Sequence, residues 1–131
     1  MKLNAHGTYD LKLRGEIIIS QFSGAWNTEG VKAYFESYKL FVIGKKLKRF
    51  GGLADFRKFE GGTPNAMKYV EKIPQWNARH GQIARAQILS HTLTNYIVNQ
   101  PSYGSELFSI NNFDDEESAF AWLEEQGLSI K

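Results

Sequence analysis

The fold is decided by the stretch Arg49-Phe50-Gly51-Gly52-Leu53-Ala54-Asp55-Phe56-Arg57 and by Thr63-Pro64 shortly after it. The apolar run that begins at Leu53 lies between glycines and charges, which predicts a strand covered on both faces. The glycine pair predicts a bulge or a close backbone approach at the start of that strand. A polar loop is predicted between that strand and Thr63. Thr63-Pro64 then predicts a helix start, because the hydroxyl can cap a free N–H and proline at the first helical position gives up no N–H that was bonded.

The composition predicts one folded domain over residues 1–131, because 42% of the residues are hydrophobic and 14% are aromatic. The chain has no cysteine, which excludes disulfides and thiolate chemistry. The segment Met1–His6 lacks the apolar core of a signal peptide, and no apolar run approaches the ~20 residues that span a bilayer. We therefore expect a soluble, cytoplasmic protein with no integral membrane segment.

The charge is unevenly distributed along the chain. The net charge of +2 is too small to favour nucleic acid. Residues from Glu106 onward carry seven acids and one base, and we interpret them as an acidic terminal helix rather than an acidic docking surface. A basic run follows Gly44 (Lys45, Lys46, Lys48, Arg49). We interpret that run as offsetting the negative end of a helix rather than binding phosphate.

Two strands and a helix are predicted before the central stretch. Residues 8–13 alternate as a half-exposed strand, and residues 17–22 form a better-buried one, so the two predict an antiparallel hairpin with the first strand at the edge. Ser23-Gly24 is interpreted as the turn that closes the hairpin. Asn27 is the predicted N-cap of a helix that ends near Gly44, and its aromatic stripe is typical of a core face.

After the central stretch, helices and strands alternate. A helix runs from Thr63 to Gly81, with a kink or break near Ile73 because Pro74 removes a backbone hydrogen bond. A strand covers residues 83–89, a turn residues 90–92, a short helix continues through Val98, and a fifth strand covers residues 107–110. The last helix is predicted to begin at Asp114, with Glu117 completing a capping box. Strict alternation after the hairpin predicts parallel strands with right-handed crossovers.

The parallel strands predict a working surface, because open α/β sheets place functional groups at the carboxyl ends of their strands. The candidate residues for binding a ligand or a partner are Trp26, Asn27, Asp55, Arg57, Thr63, Ser90, His91 and Phe113. Asp55, Arg57 and Thr63 are expected near that edge, just beyond the carboxyl ends of the strands. Asp55 and Arg57 are interpreted as a structural ion pair, because residues two apart share one side of an extended segment.

The order of elements, with these residues at the joints, resembles the SpoIIAA-like group of the STAS superfamily. Its fold is shared by Sec14/CRAL-TRIO lipid-binding domains. The residues that carry the resemblance span nearly the whole chain: Gly24-Ala25-Trp26-Asn27, Asp55-Phe56-Arg57, Thr63-Pro64, Trp76 with Gly81, and Phe113 with Asp115-Glu116-Glu117-Ala119-Trp122-Leu123. The resemblance implies an α/β fold with a mixed five-stranded sheet, the first strand antiparallel at the edge and the rest parallel, and about four helices.

The phosphorylation motif of the STAS anti-sigma-factor antagonists is missing from this chain. In those proteins a serine in an Asp-Ser-Ser-Gly-type motif starts the second helix and is phosphorylated by a partner kinase. Here Asp55 is followed by Phe-Arg-Lys-Phe-Glu-Gly-Gly-Thr. Thr63 is the single hydroxyl in an analogous place, and we interpret it as an N-cap rather than a phosphosite.

Catalysis and cofactors are not indicated by the sequence. An enzyme would use Asp55, Ser90 and His91, but Ser90 and His91 are adjacent, so their side chains diverge and rarely meet as nucleophile and base. A triad also needs a third group that orients the base. His6, His80 and His91 show no metal-ligand spacing, and no phosphate-binding glycine loop is present. We therefore predict no enzyme, no metal and no cofactor.

Two functional hypotheses remain open at the level of sequence. The favoured one is a non-catalytic regulatory or protein-interaction module whose sheet edge contacts another protein. The alternative, which the Sec14 likeness implies, is a carrier or sensor of a small apolar or lipid-like ligand. Bulky aromatic residues at helical spacing fit either, because they fill a core or line a pocket (Tyr34, Tyr38, Trp76, Phe120, Trp122). A homodimer is expected only because symmetric pairs are the commonest small assembly.

Overall fold

Residues 4–90 and 104–131 are described by the computed structural model of the chain, and their five strands form one sheet in the order β1-β2-β3-β4-β5. The strands are β1 Thr8–Arg14, β2 Ile17–Trp26, β3 Phe50–Gly62, β4 Gln82–Ile88 and β5 Ser109–Phe113. β1 pairs antiparallel with β2 at one edge, and the other neighbouring strands pair parallel. The predicted α/β class and mixed five-stranded sheet are confirmed.

Four helical segments accompany the sheet in the described residues. They are α1 Thr28–Lys45, α2 Pro64–Val70, α3 Ile73–Arg79 and α4 Glu116–Glu125. The predicted helix with a break at Pro74 is therefore two helices, because proline lacks the N–H that would continue the first one and is well suited to the first turn of the second. The predicted helix through Val98 falls within residues 91–103, outside the described residues.

Two helix starts agree with the sequence prediction. Asn27 Oδ1 accepts a hydrogen bond of 2.8 Å from the backbone N of Gly30 at the start of α1. Thr63 Oγ1 accepts one of 3.2 Å from the backbone N of Ala66 at the start of α2. Each bond satisfies an N–H that has no acceptor within its own helix.

Strands β2 and β3 are longer than the sequence predicts. β2 continues past Phe22 to Trp26, so Ser23-Gly24 lies inside the strand rather than in a turn. β3 continues to Gly62, so no loop separates the central strand from α2. The pairing of β2 with β3 has two register shifts in this region. These bulges accommodate the glycines, which the sequence rules treat as strand breakers.

The end of the chain also differs from the prediction. β5 begins at Ser109 rather than at residue 107, and it includes Phe113, which pairs with Ile88. The N-cap of α4 is Asp115, whose Oδ1 accepts a hydrogen bond of 2.7 Å from the backbone N of Ser118. The predicted cap at Asp114, one residue earlier, is wrong because strand pairing holds the chain extended through Phe113.

The core has one cluster of buried residues on each face of the sheet. On the α4 face, the cluster contains Ile17, Leu53, Ala84, Ala86, Ile88, Ala119, Phe120, Leu123 and Leu128. On the face of α1 to α3, it contains Ile18, Trp26, Val31, Tyr34, Phe35, Tyr38, Val42, Phe50 and Ala66. Successive residues of β2 and β3 alternate between these clusters, so both strands are buried on both sides as predicted.

Candidate functional site

Asp55 and Arg57 form a three-bond pair within β3. Asp55 Oδ1 accepts hydrogen bonds of 3.0 Å from the backbone N and from Nε of Arg57. Asp55 Oδ2 accepts a hydrogen bond of 2.7 Å from Nη2 of Arg57. The Asp55 residue is 3% exposed, whereas the side chain of Arg57 is 41% exposed. The predicted ion pair is thus buried at its carboxylate and open at its guanidinium.

A bulge in β3 explains how two neighbouring side chains meet in this way. Gln21 of β2 pairs with Asp55, but Ser23 pairs with Lys58, so β3 has one extra residue between these pairs. The extra residue turns the backbone, and the Asp55 carboxylate accepts the N–H of Arg57 that the ladder would otherwise use. The bulge therefore directs the Arg57 guanidinium toward α4, where Nη2 lies 3.0 Å from Oε1 of Glu116.

Asp55, Arg57 and Glu116 form a triad of charged side chains, and its electrostatics fix the charge of Asp55. Burial raises the pKa of Asp55, but the hydrogen bonds and the charge of Arg57 outweigh burial and hold that pKa below its usual value. Asp55, and secondarily Glu116, raise the pKa of Arg57. A general base works best with a pKa near the working pH, so a carboxylate held ionised by three donors is suited to structure rather than proton transfer.

A small cavity of about 140 Å³ lies beside the triad. It opens on the α4 face between strands β1 to β3 and α4, and its lining includes Asp10, Lys12, Gln21, Asp55, Glu116 and Phe120. Drug-sized ligand pockets are typically ~300–1,000 Å³. The cavity has room for a few water molecules or a small polar group, and it is far too small for a lipid chain.

The parallel strands β2 to β5 all run toward the same edge of the sheet, but they end at different levels along the strand direction. β4 and β5 end at Ile88 and Phe113, in register with Asp55, whereas β2 and β3 continue to a last pair at Trp26 and Gly62. The seven further residues of β3 add about 23 Å at ~3.3 Å per residue. Asp55 therefore lies inside its strand rather than just beyond the strand's end, which corrects the sequence expectation.

The candidate residues consequently fall into two groups. Asp55, Arg57 and Phe113 lie at the level where β4 and β5 end, and Phe113 is half-buried with its ring 5.7 Å from that of Trp122. Thr63 is exposed at the far end of β3, beside Trp26. Ser90 is half-buried and is the last described residue before the gap. His91 lies outside the described residues.

Trp26 and Asn27 have structural roles that account for them. Trp26 is 4% exposed, and its Nε1 donates a hydrogen bond of 3.1 Å to the carbonyl oxygen of Ser23. The Asn27 side chain caps α1 and also holds the N-terminal segment, accepting from the backbone N of His6 at 2.9 Å and donating to the carbonyl oxygen of Asn4 at 2.8 Å. The indole N–H of Trp26 and the side-chain oxygen of Asn27 are thus both engaged within the fold.

The aromatic residues pack against one another. The Tyr34 ring contacts the rings of Tyr9, Phe22, Trp26 and Tyr38 at centroid distances of 4.9 to 6.2 Å. The Trp76 ring stacks on His80 at 3.9 Å and packs edge-on to Phe35 and Tyr38. On the other face, the Arg14 guanidinium lies 4.6 Å from the centroid of Phe120. Apart from Phe120, which lines the small cavity, these rings form packed core rather than the wall of a pocket.

Glu116 and the polar residues of β1 were missed by the sequence reasoning. Glu116 was grouped with the acidic tail, and Asp10 and Lys12 were treated as the solvated side of an edge strand. A signal was available in the register: Asp10 and Lys12 alternate with Tyr9 and Leu11 and share a face with Gln21 and Asp55. What could not be deduced was the bulge, which brings the Arg57 side chain to Glu116.

The described residues contain no cluster of metal-ligating side chains and no helix that could cross a membrane. In residues 4–90 and 104–131, no group of three or more His, Asp or Glu side chains is arranged to hold a metal ion. The His80 Nδ1–H donates at 2.7 Å to the carbonyl oxygen of Trp76, which is a helix-end contact. Among the helices of the same residues, none is long and apolar enough to cross a bilayer.

The fold matches solved structures although the sequence gives no match. No family model matches the chain, and comparison with curated proteins also finds none. An uncharacterised protein of the DUF3478 family from Shewanella loihica PV-4, with a SpoIIAA-like fold, is similar with a TM-score of 0.64 and 14% identity, covering 94% of this chain and 98% of that chain.

Two structures of SpoIIAA are also similar, the first of them from Bacillus. The phosphorylated form of this cell fate determinant gives a TM-score of 0.54 and 12% identity, covering 88% of this chain and 99% of that chain. The unphosphorylated form of SpoIIAA, described as an anti-sigma factor antagonist, gives a TM-score of 0.56 and 11% identity, covering 92% of this chain and 99% of that chain. The chain therefore has a SpoIIAA-like fold, as the resemblance implied. At these identities the likeness concerns the fold alone.

Proposed function

We propose that this protein is a non-catalytic, cytoplasmic regulatory module that works by binding another protein. The proposed contact surface is the far end of β3 with the start of α2, and its exposed residues include Arg57, Lys58, Glu60 and Thr63. The SpoIIAA structures belong to an anti-sigma factor antagonist, and a comparable regulatory role is proposed here by analogy.

The extension of β3 past β4 is the observation that carries this proposal. The last pair between the two strands is Asp55 with Ile88, so residues 56–62 continue with β2 alone on one side. In the part of the chain that the structure describes, no strand pairs with their other side. An exposed strand edge offers backbone groups to a partner, and its side chains supply specificity.

The same geometry supports this role over the two competing ones. For an enzyme, the buried carboxylate of Asp55 already accepts three hydrogen bonds from Arg57, which suits it to a structural role. For a carrier of a lipid-like ligand, the aromatic side chains fill the interior, and the cavity of about 140 Å³ has room for only a small polar group.

Affinity capture from the source cells, followed by calorimetry with the purified partner, tests the proposal. The test variant exchanges two charges of the β3 extension, Lys58→Glu with Glu60→Lys, which leaves the net charge unchanged. The control exchanges Glu125→Lys with Lys131→Glu, two exposed residues at the other end of the chain. We expect the β3 exchange to weaken a stoichiometric partner by about tenfold or more and the control to leave it unchanged.

Native mass spectrometry of the purified protein separates the alternatives. The interaction module predicts a mass equal to that of the chain or of its protein complexes. A co-purifying lipid-like mass would support the carrier instead. Equal weakening by the two exchanges would locate the contact away from β3 and overturn the proposed surface.

A further inference from the structure

Helix α1 has an apolar stripe on its outer side as well as on its core side. Leu40 is 72% exposed and Ile43 is 57% exposed, which makes them the two most exposed large hydrophobic residues among those the structure describes. Tyr38, on the core side, is 4% exposed. Leu40 follows Tyr38 by two positions, or about 200° around the helix, so it faces directly away from the core.

Three lysines lie around the C-terminal end of this stripe. Lys45, Lys46 and Lys48 are exposed, and no carboxylate among the described residues lies within ion-pair distance of them. No acidic residue occurs between Glu36 and Asp55. The nearest other cations are engaged, since Lys39 pairs with Glu36 at 2.7 Å and Arg49 with Glu16 at 3.4 Å. The outer surface of α1 is thus apolar, and the lysines at its end have no carboxylate partner among the described residues.

Two features of the backbone at this end of α1 lower the stability of the fold. Lys46 adopts φ 55° and ψ 36°, a left-handed conformation that glycine adopts far more readily. Gly44, one turn after Leu40, lies in the helix although glycine is a poor helix former, and a Cβ built on it would have no atom within 4 Å. A side chain at residue 44 would be tolerated by the fold. The missing side chain instead leaves the helix backbone open to close approach beside Leu40 and Ile43.

We propose that the outer side of α1 from Leu40 to Lys48 binds an acidic, amphipathic helical segment of another protein. Apolar residues of that segment, spaced three and four apart, would pack on Leu40 and Ile43 beside Gly44. Its carboxylates would pair with Lys45, Lys46 and Lys48. A parallel pairing with a second copy of this chain fits poorly, because it would bring the same lysines toward one another.

This surface goes beyond the function proposed above and does not depend on it. The start of α1 follows β2 at the carboxyl end of the sheet, and the 18 residues of the helix carry the chain back about 27 Å at ~1.5 Å per residue. The C-terminal end of α1 therefore lies near the amino end of β3, away from the β3 extension. The two surfaces can be altered independently.

Fluorescence anisotropy of the full chain with three designed peptides tests the inference. The probe is a labelled helical peptide of about 20 residues, with leucines at spacings of three and four and glutamates elsewhere on its surface. One control peptide replaces the glutamates with lysines, and another replaces the leucines with serines. We expect the acidic leucine peptide to bind at least about tenfold more tightly than either control, with an affinity that falls as NaCl is added.

Protein variants locate the binding on α1. Leu40→Asn with Ile43→Asn removes the apolar stripe, and Lys45→Glu with Lys48→Glu reverses the charge. Lys68→Glu with Lys72→Glu makes the same charge change on exposed residues of α2 and the turn that follows it. We expect each α1 variant to weaken the probe by about tenfold and the control by less than twofold. The substituted side chains are exposed, and circular dichroism with a urea midpoint checks that each variant is folded.

Three outcomes would overturn the inference. In the first, the acidic peptide binds no better than the basic one, or the Lys68/Lys72 control weakens it equally. In the second, the peptides do not bind, but vesicles of phosphatidylcholine and phosphatidylglycerol do and Leu40→Asn with Ile43→Asn abolishes that binding, which would make the surface a membrane contact. In the third, light scattering detects a dimer that the same substitutions dissociate, which would identify a second copy as the occupant.

Discussion

Asp55 accepts three hydrogen bonds from Arg57, two residues further along the same strand, and thereby closes a bulge in the middle of the sheet. Only one of the three bonds comes from the backbone of Arg57; the other two come from its guanidinium. Arg57 continues to Glu116, so this pair ties β3 to the first turn of α4. The bulge, the strand and the last helix are therefore coupled through the guanidinium of Arg57, which contacts the carboxylates of Asp55 and Glu116.

Replacing Asp55 with asparagine is expected to lower the free energy of unfolding by about 2 kcal/mol. Asparagine is similar in size but cannot accept both guanidinium bonds as an anion, and hydrogen bonds to charged groups contribute ~1.5–3 kcal/mol. The loss is held below that of a fully buried pair because Arg57 can turn to solvent. Urea unfolding of the wild type and the Asp55→Asn variant measures this loss in the free energy of unfolding. Glu124→Gln, an exposed carboxylate on α4, is the control, and an equal effect of both variants would contradict the role of Asp55.

The stabilisation by Asp55 should depend on pH in one direction. The pKa of Asp55 in the folded protein lies below its usual value of 3.8. A group with a depressed folded pKa contributes stability above its unfolded pKa and loses that contribution as pH falls through the folded value. The stability difference between the wild type and Asp55→Asn should thus be constant near neutral pH and shrink below about pH 4. A difference that grows on acidification would contradict this prediction.

Much of the fold follows from local patterns in the sequence. The alternation in β1, the caps at Asn27 and Thr63 and the break before Pro74 are each decided by residues within a few positions, so the sequence predicts them. The lengths of β2 and β3 are decided by pairing between distant segments. Gly24 and Gly61 have φ of 81° and 105°, and they lie inside strands because bulges absorb them, which no local rule indicates.

The candidate site is less predictable for the same reason. Parallel strands predict that polar groups gather at one end of the sheet, but the level of each group depends on where each strand stops. β4 stops at Ile88 while β3 continues to Gly62, and this stagger separates Asp55 from Thr63. The contact between Arg57 and Glu116 joins residues 59 positions apart. This contact depends on the bulge in β3 and on an N-cap of α4 at Asp115 rather than at Asp114.

Substituting Gly51 with alanine is expected to lower the free energy of unfolding by about 1–3 kcal/mol. A Cβ at this position would overlap Leu128 and lie 3.3 Å from Cδ2 of Leu123, and both leucines are buried where neighbours cannot easily move. Gly44→Ala in α1 is the matched control, since its Cβ would meet open space. The control should raise stability by ~0.5–1 kcal/mol. Urea midpoints that move in the same direction for both variants would contradict this account.

Thr63 should stabilise the start of α2 through its hydroxyl. Thr63→Ala removes the acceptor of the Ala66 N–H and should cost about 1 kcal/mol, while Thr63→Ser should cost only a few tenths because serine caps equally well. Chemical denaturation of the three proteins measures the difference. Equal stability of the alanine variant and the wild type would show that the cap contributes little, and it would leave the exposed Thr63 available for a role in binding.

Lys46 offers a test of whether the end of α1 is shaped by folding or by binding. Its left-handed backbone costs a residue with a side chain ~1–2 kcal/mol relative to an allowed conformation, a cost that glycine avoids. Lys46→Gly should therefore raise the free energy of unfolding by up to about 1 kcal/mol, while Lys45→Gly, inside the helix, should lower it by a similar amount. If the lysine is retained for its charge, Lys46→Gly should also weaken the acidic leucine peptide, since one cation of the docking surface is removed. A variant that is more stable and binds that peptide as tightly as the wild type would show that Lys46 contributes nothing to the surface.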